Sequence, residues 1–83
     1  MSILEFVQQF PGFRFKLEFK HLNADGTTEL DPEYCYYGST DDFERKMAGY
    51  DWIFDYDLVD REVVALKVNK RTRLVEIRFE LEH

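Results

Sequence analysis

One cysteine, two histidines, two prolines and four glycines are all that 83 residues provide of these types, and each scarcity removes a class of protein. Cys35 alone cannot close an internal disulfide, and two histidines with one thiol cannot form a structural zinc cluster. Long apolar runs are missing too: no stretch approaches a membrane span, and no charged-then-apolar leader opens the chain. The sequence therefore reads as a soluble cytoplasmic protein. Cations are the minority charge, 11 Lys and Arg against 17 Asp and Glu, for a net charge of −6. A broad nucleic-acid surface needs a net basic face, so this balance argues against one and favours basic partners. No linker, repeat or low-complexity run divides the chain. Residues 1–80 read as one domain, and 81–83, Leu81, Glu82 and His83, as the start of an expression tag. No cofactor is expected.

What is abundant is patterned apolar sequence, at 45% of the chain. Ser2 and Glu5 fit a capping box, and Ile3, Phe6, Val7 and Phe10 repeat at helical spacing until Pro11 and Gly12 end the pattern. From Phe13 to Lys20 apolar and charged residues alternate strictly, the signature of a strand with one wet face. Residues 23–26 predict a hairpin loop, which would pair Phe19 with Leu30, Phe15 with Tyr34 and Phe13 with Tyr36 on one face, and Lys20 with Glu29 and Lys16 with Glu33 on the other. Pro32 cannot donate to a ladder, so the second strand is expected to bulge or to lie at an edge.

Residues 39–49 carry a complete helix signal. Ser39 or Thr40 is placed to cap, Asp41 and Asp42 lie in the first turn, Arg45 and Lys46 in the last, and Gly49 supplies the left-handed stop. Phe43, Met47 and Tyr50 make its apolar stripe. The next segment, 50–60, mixes aromatics and acids in neither period and reads as an irregular connection anchored by Trp52 and Phe54. Beyond it, 63–69 and 73–80 form a second hairpin, with Val64, Leu66 and Val68 facing Val75, Ile77 and Phe79. The preferred loop is 69–72, pairing Leu66 with Val75 and Val64 with Ile77. The predicted fold is a small two-layer α+β domain, α-ββ-α-ββ, with two hairpins in an antiparallel sheet and two short helices on one face.

Candidate chemistry is sparse. Trp52 to Val59 superficially resembles the apolar-strand-then-DxDxV signature of haloacid-dehalogenase-type phosphotransferases, whose first aspartate, here Asp55, is the nucleophile. That chemistry needs a larger parallel-sheet domain supplying a lysine and further acids, and this chain has neither the length nor the alternating βα units. Asp55, Asp57 and Asp60 lack the turn glycine and distal glutamate of an EF-hand loop, and so do Asn23 and Asp25. No metal ligand set or catalytic residue is assigned, and a non-enzyme is expected. His21 has no Ser or Cys to activate. Lys67, Lys70, Arg71 and Arg73 read as a charged hairpin tip that deters sticking.

Two surfaces remain. One is the sheet face on which Val63, Ala65, Leu74, Tyr37 and Cys35 stand among charges, as an association surface would. The other is the acidic aromatic stretch of Asp51, Trp52, Asp55, Tyr56, Asp57 and Asp60. The functional expectation is a protein–protein interaction or regulatory module with a protein partner or a second copy of itself. The alternatives are an acidic mimic of nucleic acid that uses Asp41, Asp42, Asp51, Asp55, Asp57 and Asp60 to occupy a basic protein and, ranked below it, a phosphate-handling or metal-binding enzyme built on the acidic stretch 51–60.

Overall fold

The computed structural model describes residues 1–82, with the side chain of Glu82 left aside. The elements, in chain order, are α1 (Ile3–Val7), β1 (Arg14–Leu22), β2 (Thr28–Leu30), β3 (Tyr36–Ser39), α2 (Phe43–Lys46), α3 (Asp51–Phe54), β4 (Val63–Asn69) and β5 (Leu74–Glu82). Their sheet is mixed. Its order is β2-β1-β5-β4, with β3 also paired to β1. Strands β1 and β5 run parallel along their whole length, from Arg14 beside Leu74 to Leu22 beside Glu82.

This corrects the expectation of a purely antiparallel sheet, and the residues give the reason. The two strands with the most regular apolar alternation occupy the middle. There Phe15, Leu17 and Phe19 of β1 and Val75, Ile77 and Phe79 of β5 are all buried. Phe19 and Phe79 stack at 4.6 Å between ring centroids, 4° from coplanar. The same parallel register sets opposite charges side by side on the other face, Lys16 by Glu76, Glu18 by Arg78 and Lys20 by Glu80. Charge matching expected inside the first hairpin is thus met between the two central strands.

Both hairpins form, each in a shifted register. The first loop takes one residue more than expected: Leu22 pairs with Thr28, and Thr27 accepts the Asn23 N–H at 2.7 Å. Asp25 closes this loop by accepting from the Thr27 N–H at 3.0 Å and its hydroxyl at 2.6 Å, with Gly26 at φ 87°. Lys20, not Phe19, therefore faces Leu30, which turns outward. Past Pro32 the chain leaves the sheet and re-enters as β3, with Leu17 facing Tyr36 and Phe15 facing Gly38. The strands on either side of Pro32 lie at the sheet edge, one of the two outcomes expected of it, and the excursion between them divides what was read as one strand. The second hairpin turns through 70–73, one step later than expected, and pairs Leu66 with Ile77 and Val68 with Val75. Asn69 caps that turn, accepting from the Arg71 and Thr72 N–H groups at 3.0 and 3.1 Å. An irregularity between Val63 and Ala65 carries Val63 across from Phe79.

Three short helices cover one sheet face. In α1, Ser2 Oγ accepts the Glu5 N–H at 3.2 Å, as the capping signal predicts, and Ile3 and Val7 are buried. The 39–49 helix is shorter than its signal. Ser39 ends a strand yet accepts from the Asp42 N–H at 3.2 Å, as its placement predicts, while the Thr40 hydroxyl donates to the Phe10 carbonyl at 2.6 Å, tying the segment to the end of the α1 region. Asp41 accepts from the Gly12 N–H at 3.1 Å, and Asp42 pairs with Arg45, three residues on, at 2.9 Å. Phe43 and Met47 still form the buried stripe, and Gly49, at φ 98°, still ends it. Leu81 and Glu82 continue β5 opposite His21 and Leu22, and Leu81 packs on the core, so both contribute to the sheet. The tag reading of His83 falls outside the described residues.

Candidate functional site

The segment expected to be irregular contains α3, which divides its aromatics. Ile53 and Phe54 are buried, so they, and not Trp52, anchor the connection. Trp52 lies on the outer side of the same turn, 43% exposed. Its ring meets Tyr34 at 5.1 Å, Phe19 at 5.4 Å and Tyr56 at 6.4 Å between centroids, each in a T-shaped arrangement. Tyr34 in turn meets Tyr50 at 5.7 Å. Edge-to-face contacts tie these rings to one another, and the Phe19–Phe79 stack gives them a floor.

Carboxylates surround this patch. Asp51 opens α3 and Asp55 caps its C-terminal end, one on either side of Trp52 in sequence, and both are exposed. Neither side chain makes a hydrogen bond or ion pair among the described residues. Glu33 accepts from the Tyr50 hydroxyl at 3.2 Å, and that bond, with the carboxylate's charge, raises the Tyr50 pKa. Glu62 accepts from the Tyr56 hydroxyl at 2.5 Å, and burial followed by this bond pushes the phenol well above its usual range. Both tyrosines are held as neutral donors.

The remaining two acids of the stretch serve the backbone. Asp57 accepts from the Val59 N–H at 3.0 Å and lies 3.7 Å from the terminal amine, and Asp60 accepts from the Glu62 N–H at 2.9 Å. Sequence reasoning thus singled out Trp52, Asp51, Asp55 and Tyr56, which come together, but missed Tyr34, Tyr50 and Glu33. The signal for those three was Pro32: an interrupted strand frees Tyr34 from the ladder to pack sideways.

The five residues of the expected sheet-face surface do not form one patch. Val63 stands opposite Phe79 and packs on the core, on the other face from Ala65, which stands opposite Arg78. Ala65 and Leu74 share the polar face but are separated along the strands by Lys67 and Glu76. Tyr37 is 59% exposed beside Lys16, with its hydroxyl on Glu18 at 2.7 Å. Cys35 is half-buried with Sγ 3.9 Å from the Phe19 carbonyl. The Arg78 Nε on this face is buried and, among the described residues, without a hydrogen-bond partner.

Among the described residues no three of His, Cys, Asp and Glu gather into a metal-binding group. No described helix is long and apolar enough to cross a membrane. Protein-family models, curated proteins and solved structures were all compared with this chain, and none matches it.

Proposed function

We propose that this chain is a non-enzymatic protein-interaction module of the cytoplasm whose surface around Trp52 receives a basic segment of a partner protein. The observation that carries this reading is the exposed Trp52 ring with two unpaired carboxylates at the two ends of the same short helix, Asp51 in its first turn and Asp55 at its C-cap. A guanidinium or ammonium group laid on an aromatic face gains about 0.5–2 kcal/mol, and an adjacent carboxylate adds a charge-assisted hydrogen bond. Four aromatic rings on a rigid floor offer that contact with little ordering cost. The nucleic-acid mimic ranks below it, because Asp41, Asp42, Asp57 and Asp60 are already engaged within the chain.

Trp52 is the only tryptophan and reports on its own surface. Titration with a nona-arginine peptide is expected to give a saturable change in Trp52 emission that weakens with salt, while a nona-glutamate peptide gives none. With a labelled peptide, Asp51→Asn with Asp55→Asn is expected to weaken binding about tenfold, equivalent to about 1.4 kcal/mol. Trp52→Leu is expected to weaken it at least as much. Neutralising Asp41 and Glu44, on another part of the surface, should have little effect. No saturable change, or equal losses from both pairs of neutralisations, would reduce the interaction to bulk charge and overturn the reading.

A further inference from the structure

The two edges of the sheet are built differently. On one side β1 is covered by β2 and β3, two short strands interrupted by the Pro32 excursion. A short, broken edge offers little to pair with. On the other side β4 runs from Val63 to Asn69 and, among the described residues, pairs only with β5, in unbroken register from Ala65 to Asn69. Its outward backbone groups form an open ladder. The side chains there are apolar as well: Leu66 is 45% exposed, although Ile77, directly opposite on β5, is 1% exposed. The core reaches Val63 and Val68 of β4, which pack against it, but leaves Leu66 between them exposed.

Charge is also divided along this strand. Asp57, Asp60 and Glu62 precede it, with Arg61 among them, whereas Lys67, Lys70, Arg71 and Arg73 lie at its far end and in the turn beyond. A strand acidic at its start and basic at its finish is complementary to its own reverse.

We infer that β4 is the docking edge for a second copy of this chain, the two β4 strands pairing antiparallel about a two-fold axis near Leu66. This register apposes Leu66 to its counterpart and Ala65 to Lys67, and so avoids facing Lys67 with itself. It carries Lys70 of each copy to Glu62 of the other. The two sheets become one continuous sheet, Leu66 is covered from the partner side, and each basic turn lies on an acidic strand entry. Electrostatic complementarity of this kind fixes direction and register in strand pairing. A parallel arrangement would set basic turn against basic turn. This edge meets the Trp52 surface at Glu62, which also holds the Tyr56 hydroxyl, so Leu66→Lys and Lys70→Glu test the edge without altering that surface.

Sedimentation velocity of the full chain over a wide concentration range, at low and at high salt, tests the inference. A monomer–dimer equilibrium is expected, with dissociation strengthened about tenfold or more by high salt, since the end contacts are exposed charges. Leu66→Lys is expected to yield folded monomers by circular dichroism. Should that variant fail to fold, the charge pair decides: Lys70→Glu and Glu62→Lys each weaken self-association, and an equimolar mixture of the two restores it as a heterodimer. A monomer at every concentration overturns the inference. So does a dimer indifferent to both salt and the charge exchange, which would place the contact elsewhere.

Discussion

Gly38 shows how closely a single position can be constrained without an unusual backbone. It faces Phe15 across the β1–β3 ladder, and the Tyr36 ring folds back over it. A methyl group added there would lie 2.5 Å from Tyr36 Oη and 2.8 Å from Cζ. The ring cannot simply swing away. It is wedged against Phe15 at 5.9 Å and Phe43 at 5.3 Å, and its hydroxyl donates to the Ser39 carbonyl at 2.7 Å. We expect Gly38→Ala to cost about 1–3 kcal/mol, the usual range for overpacking a filled core. Urea denaturation measures it, and the cost should shrink in a Tyr36→Phe background, where the nearest atom is gone.

At the level of elements, β3 is held to β1 on the polar face by one side-chain bridge, the Tyr37 hydroxyl on Glu18. Partial burial of the hydroxyl, then this bond and the glutamate charge, raise the Tyr37 pKa from 10.0 to about 12. The folded state therefore keeps the proton longer than the unfolded chain does. The resulting stability is fully present below pH 10 and is lost as pH rises toward 12. Alkaline unfolding followed at fixed urea should steepen in that window, and Tyr37→Phe should flatten its share of the slope. A wild-type and Tyr37→Phe pair with identical pH profiles would mean that the bridge is absent.

The elements also show what the sequence could and could not reveal. Strand β1, the second hairpin and the buried Phe43–Met47 stripe were legible because each rests on a local period. Both hairpin registers slipped because turn chemistry decided them. Asp25 closes a longer first loop, and Asn69 caps the second turn from outside it, choices that face alternation cannot distinguish. The 39–49 helix lost its first turn to tertiary demand, since Thr40 is spent on Phe10 and Asp41 on Gly12. Trp52 was misplaced inward because size alone suggests burial, whereas Ile53 and Phe54, next to it on the same turn, filled the available core. The acids around it were visible as a run. Which of them remain free was not, because that depends on loop geometry.

For the whole molecule, the decisive feature is the pairing of β1 with β5, the first and last strands of the chain. No local signal announces a contact of that span. Until the C-terminal strand arrives, β1 lacks its central neighbour, so neither hairpin has a complete core of its own, and a single cooperative unfolding transition follows. The same arrangement has a mechanical meaning. Because these neighbours run in the same direction, tension applied between Arg14 and Glu82 acts along the strands and must slide the whole ladder at once. Tension between Val63 and Glu82 instead opens the antiparallel β4–β5 pair from one end, rung after rung. Forced unfolding is governed by the barrier along the pulled direction. In an optical trap the first geometry should therefore hold to a distinctly higher force than the second: the fold is a clamp along one axis and a zipper along another.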